Sequence, residues 1–355
     1  MIDVALSMLT LVPGGMGGSE TYARELTRQL ATANGVRATA YVPSSARGFS
    51  QGIDERVIGE TRGGGSTAAR LRAVASSTIF GPAIRRQMAS AQVVHFPFTV
   101  PVPRPKRSQA FVQTLLDVQH LDLPHLFSRA ELIYRQHFYE GAARRADAVI
   151  TISEFAKKRM VELLGLSSEK IYVAHLGVDP TEFVPNSGPR DNFVLYPARG
   201  WPHKNHARLI EAMSMVRNQI PNIRLVLTGG GLESLGALPD WVDRKGLVSY
   251  DELKALYRSA GVLAFPSLYE GFGLPPLEAM ASGCPVAASN AGSIPEVCGD
   301  AAVLFDALNP QAIASGILEA LVRNVDLASR GARQVQNFTW ERCRDVHIVV
   351  YRSMA

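Results

Sequence analysis

The sequence predicts an α/β protein built from two doubly wound parallel sheets. Three observations carry that reading. The chain has 355 residues, enough for two ordinary domains. Short β-branched or apolar runs alternate with helical patterns, which is the rhythm of βαβ units. That rhythm breaks at VDPTEFVPNSGPRDN (178–192), a Pro-, Asp- and Asn-rich linker, and then starts again.

In the first half, IDVALSML (2–9) reads as a strand. A helix follows over about 19–33 with Ser19 as its N-cap, and then a second strand, ATAYVP (38–43). Further strands are QVVHFP (92–97), AFVQTLLD (110–117) and ADAVITIS (146–153), with helices at 131–145 and 154–164. The stretch 60–90, rich in Gly, Ala, Ser and Arg, reads as a mobile, partly helical excursion. Beyond the linker come NFVLYPA (192–198), IRLVLTGGG (223–231), VLAFPS (262–267), PVAAS (285–289) and AAVLFD (301–306). Helices at 205–219, 250–259, 275–282, 310–323 and 325–335 separate or follow these strands. FTWERCRDVHIVVYRSMA closes the chain as a helix. The expected division is 1–180, 181–337 and a terminal helix 338–355 returning to the first domain, with a cleft between the two sheets. In such folds ligands bind beyond the carboxyl ends of strands, at helix N-termini.

Composition narrows the function classes. With 46% hydrophobic and 19% charged residues the chain is neither disordered nor membrane-embedded, and no stretch approaches the roughly 20 apolar residues of a membrane span. Net charge is +5, with Arg70, Arg72, Arg85, Arg86, Arg104, Lys106 and Arg107 concentrated in the first third. Such a surface suits an anionic lipid or a phosphorylated substrate, and a solvated face is the plainer account. Nucleic acid is disfavoured, because no aromatic stacking platform accompanies the cations. Three scattered cysteines, Cys284, Cys298 and Cys343, make no disulfide framework or zinc site and point to a reducing cytoplasm. The N-terminus lacks a basic n-region and reads as a buried first strand rather than a signal peptide.

Three motifs carry chemistry. GGMGGSE (14–20) lies between the first strand and its helix, where glycines admit close approach and free amides face an anion. It departs from the dinucleotide fingerprint because Glu20 stands where the third glycine belongs, and it has no Walker lysine. YPARGWPHKNH (196–206) places Arg199 and Lys204 on a loop stiffened by Pro197 and Pro202, two cations suited to a diphosphate. A pair of exposed cations near a helix start is the bland alternative, disfavoured by the macrodipole. EGFGLPPLEAMASG (270–283) brackets a stiff turn with Glu270 and Glu278. Placed near the helix start, Glu278 has a helix-dipole explanation worth about 0.3–1 kcal/mol, and Glu270 has none.

Glu270 and Glu278 make the E-x7-E element of retaining, GT-B-fold glycosyltransferases, and the chain resembles glycosyltransferase family 4 over most of its length. The resemblance runs through GGSE (17–20), ARRADAVITISEFAKKRM (143–160), HLGVD (175–179), ARGWPHKN, LTGGG, GLVSYDELKALYRSA, PSLYEGFGLPPLEAMASGCPV, SIPEV (293–297) and FTWERC. WPHKNH is similar to a subgroup rich in mannosyltransferases of polysaccharide assembly.

That resemblance implies a GT-B enzyme whose N-terminal domain binds the acceptor and whose C-terminal domain binds a nucleotide-sugar donor. Glu278 would hold ribose hydroxyls, and Glu270 would lie near the transferred sugar. The Phe272, Gly273 and Leu274 backbone would surround sugar and diphosphate, with Gly230 also on the donor. Arg199 and Lys204 would neutralise the diphosphate, Gly17 and Gly18 would approach it, and Leu247 and Val248 would pass the nucleobase. Relatives usually need no metal, and no D-x-D pair occurs here. Many relatives carry a histidine directly before the aspartate that ends the fourth strand. Here Leu116 precedes Asp117, so His120 is the candidate for the sugar-facing role, with Asp117 second.

The implied reaction moves a hexose with retention, mannose from GDP-mannose by the lean of WPHKNH, to a glycan or lipid-linked acceptor. A UDP-sugar donor, or a GT-B protein that binds without transferring, are the alternatives. The implied location is the cytoplasm, with possible peripheral contact at the inner membrane face through the basic N-terminal domain.

Overall fold

The computed structural model describes residues 1–59, 79–186 and 188–355, which fall into two compact units, Met1–Leu176 with Trp340–Ala355 and Gly177–Thr339.

The first unit holds strands β1 (Ile2–Ser7), β2 (Val36–Pro43), β3 (Asp54–Ile58), β4 (Val93–Phe96), β5 (Ala110–Thr114), β6 (Ala148–Thr151) and β7 (Ile171–Val173). They form one parallel sheet in the order β3-β2-β1-β4-β5-β6-β7. The order reverses between β1 and β4, the switch point at which doubly wound sheets bind ligands. Its helices are α1 (Gly18–Leu30), α2 (Gly81–Gln87), α3 (Gln119–Asp122), α4 (Arg129–Arg135), α5 (Gly141–Arg145) and α6 (Glu154–Leu164). β4 and β6 are buried at every position because helices cover both sheet faces.

The second unit holds β8 (Asp191–Pro197), β9 (Arg224–Thr228), β10 (Val242–Gly246), β11 (Ala260–Phe265), β12 (Val286–Ser289) and β13 (Ala302–Phe305). The order is β10-β9-β8-β11-β12-β13, again all parallel, with its switch point between β8 and β11. Helices α7 (His206–Gln219), α8 (Tyr250–Ser259), α9 (Leu274–Ala281), α10 (Ile294–Cys298), α11 (Pro310–Val322) and α12 (Asn324–Gln334) complete it. Helix α13 (Trp340–Met354) belongs to the first unit and packs on α1.

A buried polar chain fixes α13 in that unit. His347 Nδ1 lies 2.8 Å from the Cys343 carbonyl and so carries the hydrogen; its Nε2 then accepts from Tyr22 OH at 2.7 Å. With that proton committed, Thr114 Oγ1 donates to Tyr22 OH (2.9 Å) and accepts from His95 Nε2 (2.7 Å). His95 Nδ1 is left to accept from Tyr351 OH at 2.8 Å. One consistent direction satisfies all five links and keeps both imidazoles neutral. Burial moves both the same way, His95 well below the ordinary histidine range and His347 down to about 4.

Several expectations need correction. β3, β7 and β10 were not legible as strands; all three are sheet edges. The first helix begins at Gly18, and its N-cap is Gly17 at φ 56°, ψ −132°, with no side-chain cap from Ser19. Residues 129–145 are helical with a π turn over Gln136–Glu140. Within the 60–90 excursion, 60–78 lie outside the described residues and α2 occupies 81–87. Among the described residues no helix is long and apolar enough to cross a membrane.

Candidate functional site

In the second unit, four loops leaving the carboxyl ends of β8, β9, β11 and β12 are tied to one another. The β8 loop starts with Arg199, whose guanidinium lies 5.4 Å from the exposed Trp201 ring, and ends at Asn205 in the left-handed region (φ 63°). Gly200 donates to the Gly230 carbonyl at 3.0 Å and Ala198 to Thr228 at 2.8 Å, joining the β8 and β9 loops. The approach is so close that a Cβ on Gly200 would sit 2.1 Å from the Gly231 oxygen. Leu247, 75% exposed, lies over Gly230, where an added Cβ would meet its Cδ2 at 3.6 Å; Val248 beside it is half-buried.

Across the switch point, Lys204 Nζ lies 2.5 Å from Glu270 Oε1. The pair is carried on a rigid frame. Tyr196 OH donates to the Lys204 carbonyl (2.6 Å), and Leu268 N–H donates to the His203 carbonyl (2.8 Å). Asn205 Nδ2 donates to Pro266 (3.0 Å) and Ala307 (2.7 Å). Burial first, then the neighbouring Lys204 cation, lowers His203 to about 4, so it is neutral beside the pair.

The loop after β11 is held from behind by the loop after β12. Ser293 Oγ reaches the Glu270 carbonyl (3.0 Å) and the Phe272 carbonyl (2.6 Å). Gly292, at φ 65°, would place a Cβ 2.9 Å from Glu270 N and O, and Gly273 caps α9 at φ 116°. The Phe272 ring is buried against Phe338, so only its backbone borders the loop; Leu274 is buried too. Glu278 lies in the second turn of α9 rather than at its start. Its side chain is buried and accepts from Tyr257 OH on Oε2 at 2.8 Å, which replaces the helix-dipole explanation. Burial raises its carboxyl to about 7, against the lowering effect of that hydrogen bond.

In the first unit, Glu20 explains its own departure from the dinucleotide pattern. Its Oε2 accepts from Gly14 N–H at 2.8 Å, folding the 14–20 loop back on α1. Gly17 and Gly18 remain exposed at the start of that helix. At the carboxyl end of β5, Asp117 is half-buried and its Oδ1 accepts from Gln119 N–H (3.0 Å). His120 is only 1% exposed, edge-on to Phe127 and Tyr139, with Nε2 3.3 Å from Glu140 Oε1. Burial lowers its pKa, and its Nδ1 has no partner. Among the described residues no group of His, Cys, Asp and Glu is placed to hold a metal ion.

Arg199, Lys204, Gly230, Leu247, Val248, Glu270, Phe272 and Gly273 therefore lie on loops at the carboxyl ends of the strands of the second sheet, with Leu274 and Glu278 in the helix that follows one of them. Sequence reasoning missed the residues that hold them: Tyr196, Asn205, Tyr257, Gly292 and Ser293. Asn205 and Ser293 lay inside quoted motifs, WPHKNH and SIPEV, and Tyr257 inside KALYRSA.

Two parallel doubly wound units with this loop set define a glycosyltransferase of the GT-B fold. A family described as Glycosyltransferase Family 4 matches residues 16–182, and one described as Glycosyl transferases group 1 matches residues 179–335. The chain belongs to glycosyltransferase family 4. It is 28% identical over 279 residues to the O-antigen chain mannosyltransferase B of Escherichia coli, covering 70% of this chain and 72% of that protein. It is 32% identical over 226 residues to the MMP alpha-(1->4)-mannosyltransferase of Mycolicibacterium hassiacum, covering 59% of this chain and about half (55%) of that protein. A sucrose-phosphate synthase structure from Thermosynechococcus elongatus has the same fold, with a TM-score of 0.83 at 21% identity, over 100% of this chain and 99% of that one.

Proposed function

We propose that this glycosyltransferase moves mannose from GDP-mannose to an acceptor hydroxyl in glycan assembly, with retention at the anomeric carbon. The observation that carries the donor assignment is the Lys204–Glu270 pair at the switch point of the second sheet, with Arg199 on the same loop. The mannosyl lean is supported by the names of the relatives. In this reading the 181–337 domain binds the donor, and the 1–180 domain with the terminal helix binds the acceptor.

As the glycosidic bond breaks, negative charge gathers on the diphosphate. Arg199 and Lys204 stabilise it electrostatically, and Gly17 and Gly18 are the glycines assigned to it in the first unit. Glu270 lies by the sugar, Glu278 takes the ribose hydroxyls, and Leu247 and Val248 flank the base beside Gly230. His120 is the candidate for the sugar-facing role, with Asp117 second. The leaving phosphate takes the acceptor proton. The co-substrate is the nucleoside diphosphate sugar, and no metal or resident cofactor enters the proposal. The acceptor is a glycan or lipid-linked hydroxyl. Exposed Ile79 and Phe80, with the exposed cations Arg86, Arg104, Lys106 and Arg107 of the same unit, support peripheral contact with an anionic inner membrane face.

A thermal-shift and hydrolysis panel of nucleoside diphosphate sugars tests this. Stabilisation by GDP but not UDP is the expected result, since only a ligand of the native state raises apparent stability. The reverse preference replaces the donor with a UDP-sugar. Binding without turnover on any donor or acceptor leaves a binding protein.

A further inference from the structure

Glu278 has two carboxyl oxygens in different situations. Oε2 accepts from Tyr257 OH at 2.8 Å. Oε1 has no partner among the described residues and is not among the buried atoms lacking one, so solvent still reaches it. Tyr257 itself is fully buried, its ring edge-on to Phe183 at 6.1 Å. Burial raises its phenol well above the ordinary value, so it stays a donor at any working pH.

The distance between the two side chains is fixed by a third residue. Arg190 Nη1 donates to the carbonyls of Tyr257 (3.1 Å), Arg258 (3.0 Å) and Ala260 (3.0 Å), and its Nη2 donates to Ser282 (3.0 Å). One guanidinium thus clamps the C-terminal ends of α8 and α9, the helices that carry Tyr257 and Glu278.

We propose that Tyr257 is a positioning residue for the donor: its hydroxyl pins Oε2 of Glu278 so that Oε1 is presented as the acceptor for the vicinal diol of the nucleotide ribose. This rests on the reading of Glu278 given above. The physical consequence is a pH dependence. A diol donating to Oε1 needs the carboxylate, because a protonated carboxyl accepts weakly and brings a hydrogen of its own. Burial pushes Glu278 towards the protonated form, and Glu182 adds to that. Tyr257 is the group that opposes them, while Tyr250 and Cys284 act on Tyr257 rather than on Glu278. Without the hydroxyl, Glu278 holds its proton to higher pH, and nucleotide binding fails earlier as pH falls.

The test titrates GDP and UDP calorimetrically into the full-length protein from about pH 6 to 8.5, for wild type, Tyr257→Phe and Glu278→Gln. Tyr257→Phe keeps the ring and its packing against Phe183. With the diphosphate that binds, wild-type affinity falls with pH. Tyr257→Phe binds roughly 3- to 10-fold more weakly at the acid end and within about 2-fold of wild type at the alkaline end, as loss of one hydrogen bond to a charged group predicts. A Tyr257→Phe curve parallel to wild type overturns the inference, because a merely structural defect is independent of pH. If Glu278→Gln still weakens binding in that case, the ribose role of Glu278 survives. Wild-type affinity in Glu278→Gln, or no binding of either nucleotide to the wild type, overturns both.

Discussion

The ammonium of Lys204 sits 2.5 Å from Oε1 of Glu270, bridging the two loops that leave the second sheet where its strand order reverses. Sixty-six positions separate the two residues in sequence, and β9, β10 and β11 lie between them. Both side chains are largely enclosed, at 14% and 13% exposure. A cation held this way is ordered before any anion arrives, which is the preorganisation that a leaving diphosphate requires.

That pair predicts an energetic coupling. Glu270→Gln strips a mostly enclosed ammonium of its counter-ion, leaving it near the Phe265 ring at 5.7 Å. The single substitution is expected to lower unfolding stability of the protein by about 1–3 kcal/mol, and the double variant with Lys204→Met to recover part of that loss. A double-mutant cycle in urea measures it. Strictly additive changes would show that the contact carries no energy.

The β8 and β9 loops predict a backbone effect. In Gly200→Ala the new methyl meets the Gly231 carbonyl at 2.1 Å, and that carbonyl belongs to backbone rather than a flexible side chain. The loops must separate, breaking the Gly200–Gly230 hydrogen bond. Stability should fall by roughly 2 kcal/mol or more and nucleotide affinity by at least about tenfold. Gly165→Ala, at φ 63° with open space around it, is the comparison: a loss of about 1 kcal/mol and unchanged affinity. Equal affinity losses in both would contradict the loop contact.

How much of this was legible varies with position in the sheet. Interior strands such as AGVLAF at 260–265 are buried at all six positions, so a continuous apolar run announced them. Strands β3 (DERVI) and β10 (VDRKG) pair on one side only and are interrupted by charged residues, so no apolar run marks them. β7 has three residues, too few to show a period. The motif glutamates were legible, but their environments were not. Burial of Glu278 beneath α8 and its bond to Tyr257 are tertiary facts, as is the return of Glu20 to the Gly14 amide.

The buried chain from Tyr351 to Cys343 predicts a pH-dependent stability of the first unit. His347 is neutral when folded, with its pKa lowered by burial from 6.5 to about 4. Between those values the unfolded state binds the extra proton, so stability rises with pH across that window. The contribution is complete above about pH 6.5 and is lost as pH falls towards 4, by about 2–3 kcal/mol in all. Urea unfolding at several pH values, comparing wild type with His347→Gln, isolates it from the carboxylates. The variant should be less stable at neutral pH and show a shallower slope. Matching slopes would mean that His347 titrates alike in both states.

Turnover of GDP-mannose by Lys204→Ala, checked for an intact fold by circular dichroism and compared with wild type at saturating acceptor, bears most directly on the donor site. The role proposed for Lys204 at the leaving diphosphate predicts a loss of at least about 100-fold in kcat with the fold preserved. Near-normal turnover in the folded variant would contradict the assignment of this loop to the diphosphate.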